Sequence, residues 1–368
     1  MMILCLVVPA AMLLWRGDMF KGNDEFSSLM SKEGSYYFTN LFMLFAALLV
    51  AGLTMSPALQ GPTFSAPSFD LLARPIGIFF VFMMTVCPIL SWGSTGGADF
   101  WKRAKWPLAG GAVLSAGLLA IWATVLLPNY TVSGKGLAAL ARYQAPLDHV
   151  ESIIGLIVAG FAIALPIFLF IDGSRKRAAA KGENAFSSFG SIVFKARTQS
   201  GGYITHLGIG IILIGLIGSS MYVKDVQFTM ANQPGAKQAV GEYELVYKGV
   251  TSQTLSNGDV EQSVAVDLMK GGALVDSLTP KVTELANRAE GQSTRLNAAV
   301  HSEILRDVFV AFQSGDNTGL TFDVKINPLI SWAWAGFILL ILGTALAAWP
   351  RKETPLAAVP APKKKKAA

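Results

Sequence analysis

The sequence is poor in charged residues and in cysteine. Charged residues make up 15% of the 368 positions, whereas hydrophobic residues make up 52% and the mean hydropathy is +0.47. Soluble domains carry about 25% charged residues, so this composition indicates an integral membrane protein. The two cysteines, Cys5 and Cys87, both lie in apolar stretches. We interpret them as small buried apolar side chains.

Missing motifs exclude several kinds of chemistry. The chain has no Cys-x-x-Cys, which argues against a thiol–disulfide enzyme, and no Cys-x-x-Cys-His, the attachment motif of a covalent c-type haem. It also has no glycine-rich nucleotide-binding loop, no paired metal ligands, and no Ser, His and Asp at the spacing of a known triad.

Hydrophobic runs predict about seven transmembrane helices. Six lie in a transmembrane region over residues 1–222, and the seventh follows a polar segment. The predicted helices are 1–15, 37–55, 75–92, 107–127, 153–171, 203–222 and 329–349. A full span needs about 20 residues, so the first run is too short by itself. We interpret it as a helix that is trimmed or that begins in a neighbouring chain.

The distribution of basic residues predicts the orientation. The segments 16–36, 93–106, 172–202 and 350–368 hold 18 Lys and Arg, whereas the two short loops on the other side hold three. By the positive-inside rule, the carboxy terminus is cytoplasmic and the amino terminus is outside. The net charge of +6 therefore reflects membrane topology and not nucleic-acid binding. We interpret the basic run 363–366, in the tail 350–368, as a solvated segment beside the membrane, with weak binding of anionic lipid as the alternative.

The polar segment 223–326 predicts an extracytoplasmic β domain. Tyr243, Leu245 and Tyr247 alternate with polar neighbours, and residues 320–326 show the same period of two. Such alternation between turn signals is typical of half-buried strands. Residues 286–299 are polar and less regular, and we predict no strand there.

The stretch from Gly201 to Tyr222 is an apolar helix with one ionisable residue, His206. An ionisable side chain in hydrocarbon is costly and indicates a function. Residues four apart share a helix face, so Gly202 and Gly210 flank His206. Two glycines beside an imidazole leave a flat gap. That gap suits a haem held by a histidine nitrogen, and it equally suits a closely packed second helix.

Four further positions are polar candidates with ordinary alternatives. His149 follows Asp148 at the outer end of the fifth span. The pair could bind a haem or transfer a proton there, or His149 could simply be a solvent-exposed loop residue. His301 lies in the β domain between Val300 and Ser302, where an ordinary structural role is expected. Asn40 is expected to hydrogen-bond to a neighbouring helix. Arg306 and Asp307 precede an apolar run, where a local ion pair is expected.

Five stretches together resemble one family, the CcmF/CycK/NrfE type of cytochrome c haem lyase. The resemblance rests on Ser31-Lys32-Glu33 leading to Thr39-Asn40-Leu41, on Tyr203–Ser220 with Thr205-His206-Leu207-Gly208, on Gly241-Glu242-Tyr243, on Arg306-Asp307-Val308-Phe309-Val310-Ala311, and on Asn327–Gly336 with Trp332-Ala333-Trp334. They occur in the family's order and cover nearly all of the chain.

The resemblance implies a role in attaching haem to apocytochrome c outside the membrane. It also implies a permanent haem b in the membrane between two histidines, of which His206 matches one. The family's Trp-rich haem-handling loop, its two outer histidines and its other membrane histidine are absent from this chain. The chain thus resembles the carboxy-terminal half of the lyase, either as a split subunit or as a truncated reading frame. Because the Trp-rich loop is missing, we expect the chain to be inactive alone.

The implied partners are a chain with the Trp-rich amino-terminal half, a haem chaperone and apocytochrome c. A non-enzymatic haem-binding electron-transfer subunit and an assembly scaffold remain as alternatives. A transporter would need polar residues or broken helices in several spans, and these spans are nearly free of charge.

Overall fold

The computed structural model describes residues 28–64, 66–132, 141–289, 292–315 and 319–349, with a few single positions between 8 and 17. Within them, six helices are long and apolar enough to cross a membrane. They are α1 (Lys32–Met55), α2 (Ala66–Val86), α3 (Gly97–Ile121, continuing to Asn129), α4 (Ala141–Lys181), α6 (Arg197–Leu216, continuing to Met221) and α7 (Ile330–Ala348); a short α5 (Ala185–Lys195) precedes α6. The predicted fold class, a helical membrane bundle with a β domain before the last helix, is confirmed.

Two predicted segments fall largely outside the described residues. They are the first span, 1–15, which contains Cys5, and the basic tail 350–368. The other six predicted spans correspond to α1, α2, α3, α4, α6 and α7.

The predicted helix starts at 37, 75, 107, 153 and 203 are all too late. α3 begins at Gly97, so Lys102, Arg103 and Lys105 lie on a helix and not in a loop. Pro75 and Pro107, where the sequence suggested starts, lie inside α2 and α3. Hydropathy marks only the part of a helix that lies in hydrocarbon, whereas its backbone hydrogen bonds can continue into the polar interface.

α6 and α7 pack backbone to backbone along a glycine seam. On α6 the seam consists of Gly201, Gly208 and Gly215, spaced by seven residues, and on α7 of Gly336 and Gly343. A Cβ atom placed on Gly208 would lie 2.7 Å from the carbonyl oxygen of Gly336, and one on Gly336 would lie 2.6 Å from that of Gly208. Small residues permit this approach, which is a common basis of helix association in membranes.

The β domain consists of two sheets around one core. Their strand orders are β1-β2-β11-β10-β9 and β3-β4-β5-β7-β8, with β6 paired to β5. The strands are β1 (Thr131–Val132), β2 (Tyr222–Ala231), β3 (Lys237–Val240), β4 (Tyr243–Thr254), β5 (Val260–Lys270), β6 (Ala273–Leu278), β7 (Lys281–Ala289), β8 (Gln292–Asn297), β9 (Ala299–Ser302), β10 (Arg306–Gly315) and β11 (Gly319–Pro328). Alternate side chains of both sheets, among them Leu245, Val264 and Phe322, fill the core.

Two features of the β domain differ from the sequence prediction. Residues 286–299 contribute to β7, β8 and β9, where no strand was predicted, because strand pairing supplies order that local hydropathy does not show. The loop after α3 contributes β1, whose Thr131 and Val132 pair with Val223 and Tyr222. The domain therefore includes a piece of chain distant in sequence.

Tyr222 joins the β domain to the bundle. It is fully buried, and its hydroxyl oxygen accepts a hydrogen bond from Trp122 Nε1 at 2.7 Å and lies 3.0 Å from His149 Nδ1. Both Trp122 and Tyr222 border a π-helical turn, at 122–126 and 217–221. Such turns re-aim side chains near a helix end, and here they bring α3, α4 and α6 to one hydroxyl group.

An ion pair also holds the helices together at this junction between the bundle and the β domain. Arg74 of α2 contacts the carboxylate of Asp148 on α4 at 2.8 Å, and it also donates to the carbonyl oxygen of Ser220 at 3.3 Å. Asp148 is only 1% exposed. The ends of α2, α4 and α6 are therefore held together by charge where the β domain begins.

Most basic residues of the described helices lie at the other end of the bundle. β1 follows α3, β2 follows α6 and α7 follows β11, so these three ends share the side of the β domain. Lys102, Arg103, Lys176 and Arg197 lie at the opposite ends of their helices. This separation agrees with the charge asymmetry read from the sequence.

We expect Gly208→Ala to lower the melting temperature of the purified chain, because its Cβ would meet the backbone of α7. Overpacking of this kind costs about 1–3 kcal/mol. Thermal unfolding in detergent measures the effect. Gly117→Ala is the matched control, since nothing lies within 4 Å of that Cβ. Equal melting temperatures for the two variants would contradict a tight seam.

We expect Arg74→Gln to destabilise the junction by about 3–5 kcal/mol, because it removes the cation beside a buried carboxylate. Limited proteolysis and thermal unfolding measure the loss. The double variant Arg74→Gln/Asp148→Asn removes both charges and should recover much of the stability. A double variant as unstable as the single one would show that the ion pair is not the cause.

Candidate functional site: a cleft at His206

His206 lies well inside α6. Because the helix begins at Arg197, the histidine is nine residues from its start, or about 14 Å at 1.5 Å per residue. In the predicted helix 203–222, His206 would be in the first turn, within about 6 Å of the start. The cleft that it lines nevertheless includes Lys32, the first residue of α1, and so lies toward the basic end of the bundle.

The cleft has a volume of about 250 Å³ and lies between α1, α2 and α6. Its walls combine one cation, hydroxyl groups and sulfur atoms. The lining residues besides His206 are Lys32, Ser35, Tyr36, Thr39, Met83, Met84, Cys87 and Pro88. In the part of the chain that the structure describes, the imidazole of His206 makes no hydrogen bond. Its ring nitrogens are therefore available to a ligand.

These residues fit one side of a haem site. An imidazole nitrogen is an ordinary axial ligand of haem iron, and Lys32 offers a cation for a carboxylate at the edge of the macrocycle. Met83 and Met84 supply apolar, polarisable contacts. The volume is below the roughly 300–1,000 Å³ of typical ligand pockets, so a macrocycle bound to His206 would extend past this cleft.

The two glycines predicted to flank a haem differ in their surroundings. A Cβ placed on Gly202 would have no atom within 4 Å, so this position leaves open space one turn from His206. A Cβ on Gly210 would lie 2.8 Å from Ile163 Cγ1 and 3.2 Å from Ala162 Cβ of α4. Gly210 therefore serves in helix packing, which is the alternative that the sequence left open, because α4 occupies the space beside it.

The other two histidines lie far from the cleft. His149 contacts Tyr222, which follows the end of the α6 segment and is 16 residues after His206, or about 24 Å at the helical rise. His301 belongs to the β domain, where its Nδ1 lies 2.9 Å from Asp276. Neither can approach an iron bound at His206. Among the described residues, no group of three or more His, Cys, Asp or Glu could hold a metal ion.

Asn40 lacks its predicted partner, whereas Arg306 forms the predicted local ion pair, with Glu303 at the entrance to β10. Asn40 lies on α1 and makes no hydrogen bond within the described residues, because α1 packs only loosely against the bundle. Arg306 pairs with Glu242 and Glu303 and not with Asp307.

Asp307 links the β domain to the last helix instead. Its carboxylate accepts hydrogen bonds from Ser302 and from Ser331, both at 3.1 Å. Ser331 lies in the first turn of α7, so the buried Asp307 is also close to the positive end of that helix dipole. Nearby, burial and the Glu303 carboxylate raise the pKa of Tyr243, which donates to Glu303 at 2.8 Å.

Sequence reasoning did not find Lys32, Tyr36, Met83 or Cys87 as neighbours of His206. Cys87 was read simply as a buried apolar residue, whereas it is half-buried in the cleft wall. One signal was available: Lys32 and Tyr36 are four residues apart, as are Met83 and Cys87, and such pairs share a helix face. Which faces meet depends on the helix packing.

Comparisons with known proteins give related sequences and one related fold. No protein-family model matches the chain. CcmF of Pseudomonas aeruginosa is 23% identical over 358 residues, covering 95% of this chain and 49% of that protein. CycK of Bradyrhizobium diazoefficiens is 20% identical over 361 residues, covering 96% and 50%. NrfE of Haemophilus influenzae is 26% identical over 149 residues, covering 40% and 22%.

A solved structure of a protein named cytochrome c haem lyase CcmF shares the fold. Its TM-score is 0.63 at 17% identity, and the match covers 88% of this chain and 46% of that one. The chain spans about half the length of the curated CcmF and CycK proteins that it matches. In sequence and in fold, the chain is thus related to the CcmF/CycK/NrfE family of cytochrome c-type biogenesis proteins, as its motifs indicated.

Proposed function

We propose that the chain is a subunit, equivalent to the carboxy-terminal half, of a bacterial cytochrome c haem lyase. In this role His206 is one axial ligand of a membrane haem b. The proposal rests on one observation. The imidazole of His206 has no hydrogen-bond partner among the described residues, and it lines a cleft between three transmembrane helices. The relatives named for cytochrome c-type biogenesis support it.

The residues of the cleft have separable tasks. His206 presents a neutral ring nitrogen to iron, and Lys32 balances a carboxylate of the ligand. Met83, Met84 and Pro88 exclude water from one face. When bound, such a haem would supply a redox centre; reduced by a membrane electron donor, it would pass electrons to the iron of the substrate haem and keep that iron ferrous, the state that favours thioether formation.

A second chain completes the site in this proposal. The described residues hold no second histidine near His206, and the cleft is too small for a whole macrocycle. Asn40, four residues beyond Tyr36, carries an amide on the loosely packed helix α1. A polar group there favours a further helix that can hydrogen-bond to it. That helix would belong to the partner with the Trp-rich loop, without which this chain is inactive.

The β domain has its own part in the proposed complex. With the basic bundle end in the cytoplasm, the β domain lies outside the bacterial cell membrane. There it would help to dock the haem chaperone and apocytochrome c. Its 13 acidic and nine basic residues make it net negative over 223–326, a balance that would steer positively charged partners toward it.

The first test is a reduced-minus-oxidised optical spectrum of the chain, purified alone and together with its partner half. We expect a bis-histidine b-type signal only with the partner, and its loss in His206→Ala. His149→Gln is the matched control, since it alters a histidine about 24 Å away and should keep the signal. Full haem content in His206→Ala would refute the proposed ligation.

Two further outcomes separate the alternatives. A signal from the chain alone that changes in Met83→Leu or Cys87→Ala would place a sulfur ligand opposite His206, as in His/Met haem sites. A haem signal from the purified chain, together with undiminished cytochrome c maturation in a strain that lacks the chain, would indicate a non-enzymatic electron-transfer subunit. Absence of haem under both conditions would leave the scaffold role.

A further inference from the structure

A second cleft lies between α2, α3 and α4, on a different part of the bundle from His206. It consists of an apolar cavity of about 370 Å³ and a polar cavity of about 540 Å³. The two cavities share Ile89, Pro107 and Leu165 in their walls, so they adjoin. We call the whole the α2–α4 cleft.

The apolar cavity has the length of one lipid leaflet. Along α4 its lining extends from Ile154 to Leu165, or about 16 Å at 1.5 Å per residue. Half of a hydrocarbon core of about 30 Å is about 15 Å. Aromatic and branched side chains make up nearly all of the remaining wall, for example Phe82, Val86 and Phe100. This surface matches an acyl chain in both polarity and length.

The polar cavity lies at the basic end of the bundle. Lys102, Arg103 and Lys176 line it, together with Asp99 and Asp172. Trp106 lies beside them and is 61% exposed, as is typical of an aromatic side chain at the membrane interface. Polar and charged groups thus begin where the apolar cavity ends.

The cations of this cavity are available to an anion. Lys102 and Arg103 have no carboxylate partner among the residues that the structure describes, and Arg103 donates one hydrogen bond, to Ser91 Oγ at 2.8 Å. A guanidinium has five N–H donors, so several remain. Lys176 pairs with Asp172 at 2.6 Å, but both are exposed and such a pair is weak.

We propose that the α2–α4 cleft binds one anionic phospholipid. The phosphate would contact Lys102, Arg103 and Lys176, and one acyl chain would fill the apolar cavity. Basic pockets between transmembrane helices on the cytoplasmic side recognise anionic headgroups in this way. A free phosphate would leave the apolar cavity unused, and a lipid without net charge would leave the excess positive charge of the polar cavity unbalanced. The bound lipid would join α2 and α3 to α4.

Native mass spectrometry of the full chain in detergent tests the proposal, with phosphatidylglycerol and phosphatidylcholine as probes. We expect one phosphatidylglycerol to bind with at least about fivefold preference. Lys102→Gln/Arg103→Gln/Lys176→Gln should weaken that binding by at least about tenfold, because each basic group near an anionic lipid contributes about 1 kcal/mol. Inorganic phosphate at equal concentration should not displace the lipid.

A matched control removes the same charge elsewhere on the same membrane face. Arg175, Lys181 and Lys195 are exposed and line neither cavity. Their triple Gln variant should keep the preference, and an equal loss in both triple variants would overturn the proposal in favour of diffuse attraction.

Two more variants test the apolar part. Ile154→Trp and Leu108→Trp each fill the cavity from a different helix, and neither position is fully buried. Either substitution should weaken phosphatidylglycerol binding while leaving the melting temperature without lipid unchanged. Unaltered binding in both, or displacement of the lipid by inorganic phosphate, would show that only the headgroup is held and would overturn the proposed site.

Discussion

The backbone contact between α6 and α7 is the interaction on which the rest of the structure depends. The β domain is inserted between these two helices, so the seam of Gly208 and Gly336 joins both of its connections to the membrane. It also orients the helix that carries His206. Two residues separate His206 from Gly208, or about 200° at 3.6 residues per turn. Packing α7 on one face therefore turns the histidine toward α1 and α2.

The two ends of the bundle are specialised differently. Next to the β domain, buried polar groups hold the helices: Tyr222 contacts two helices, and Arg74 pairs with Asp148. These groups contact one another, which offsets part of the cost of burying them. At the basic end, the cations of the α2–α4 cleft face open volume. The first arrangement positions a domain, whereas the second leaves charge available to the membrane.

Much of the fold follows from local pattern. Apolar runs identify six of the described helices, and alternation over residues 320–326 identifies a strand. Hydropathy does not locate helix ends, because helical hydrogen bonds continue after the apolar run stops. It also misses β8 and β9, whose order comes from pairing with neighbouring strands and not from their own side chains.

The sequence by itself determined that this is a membrane protein with one histidine inside a transmembrane helix. It also determined the resemblance to a haem lyase family and the side of the membrane on which the basic residues lie. These properties depend on composition and on local spacing along the chain. Only the tertiary structure decided that Gly210 packs against α4, that His149 belongs to the domain junction, and that Lys32 and Cys87 share a cleft with His206. Each of these depends on which helix faces meet, and that is set by contacts between segments far apart in sequence.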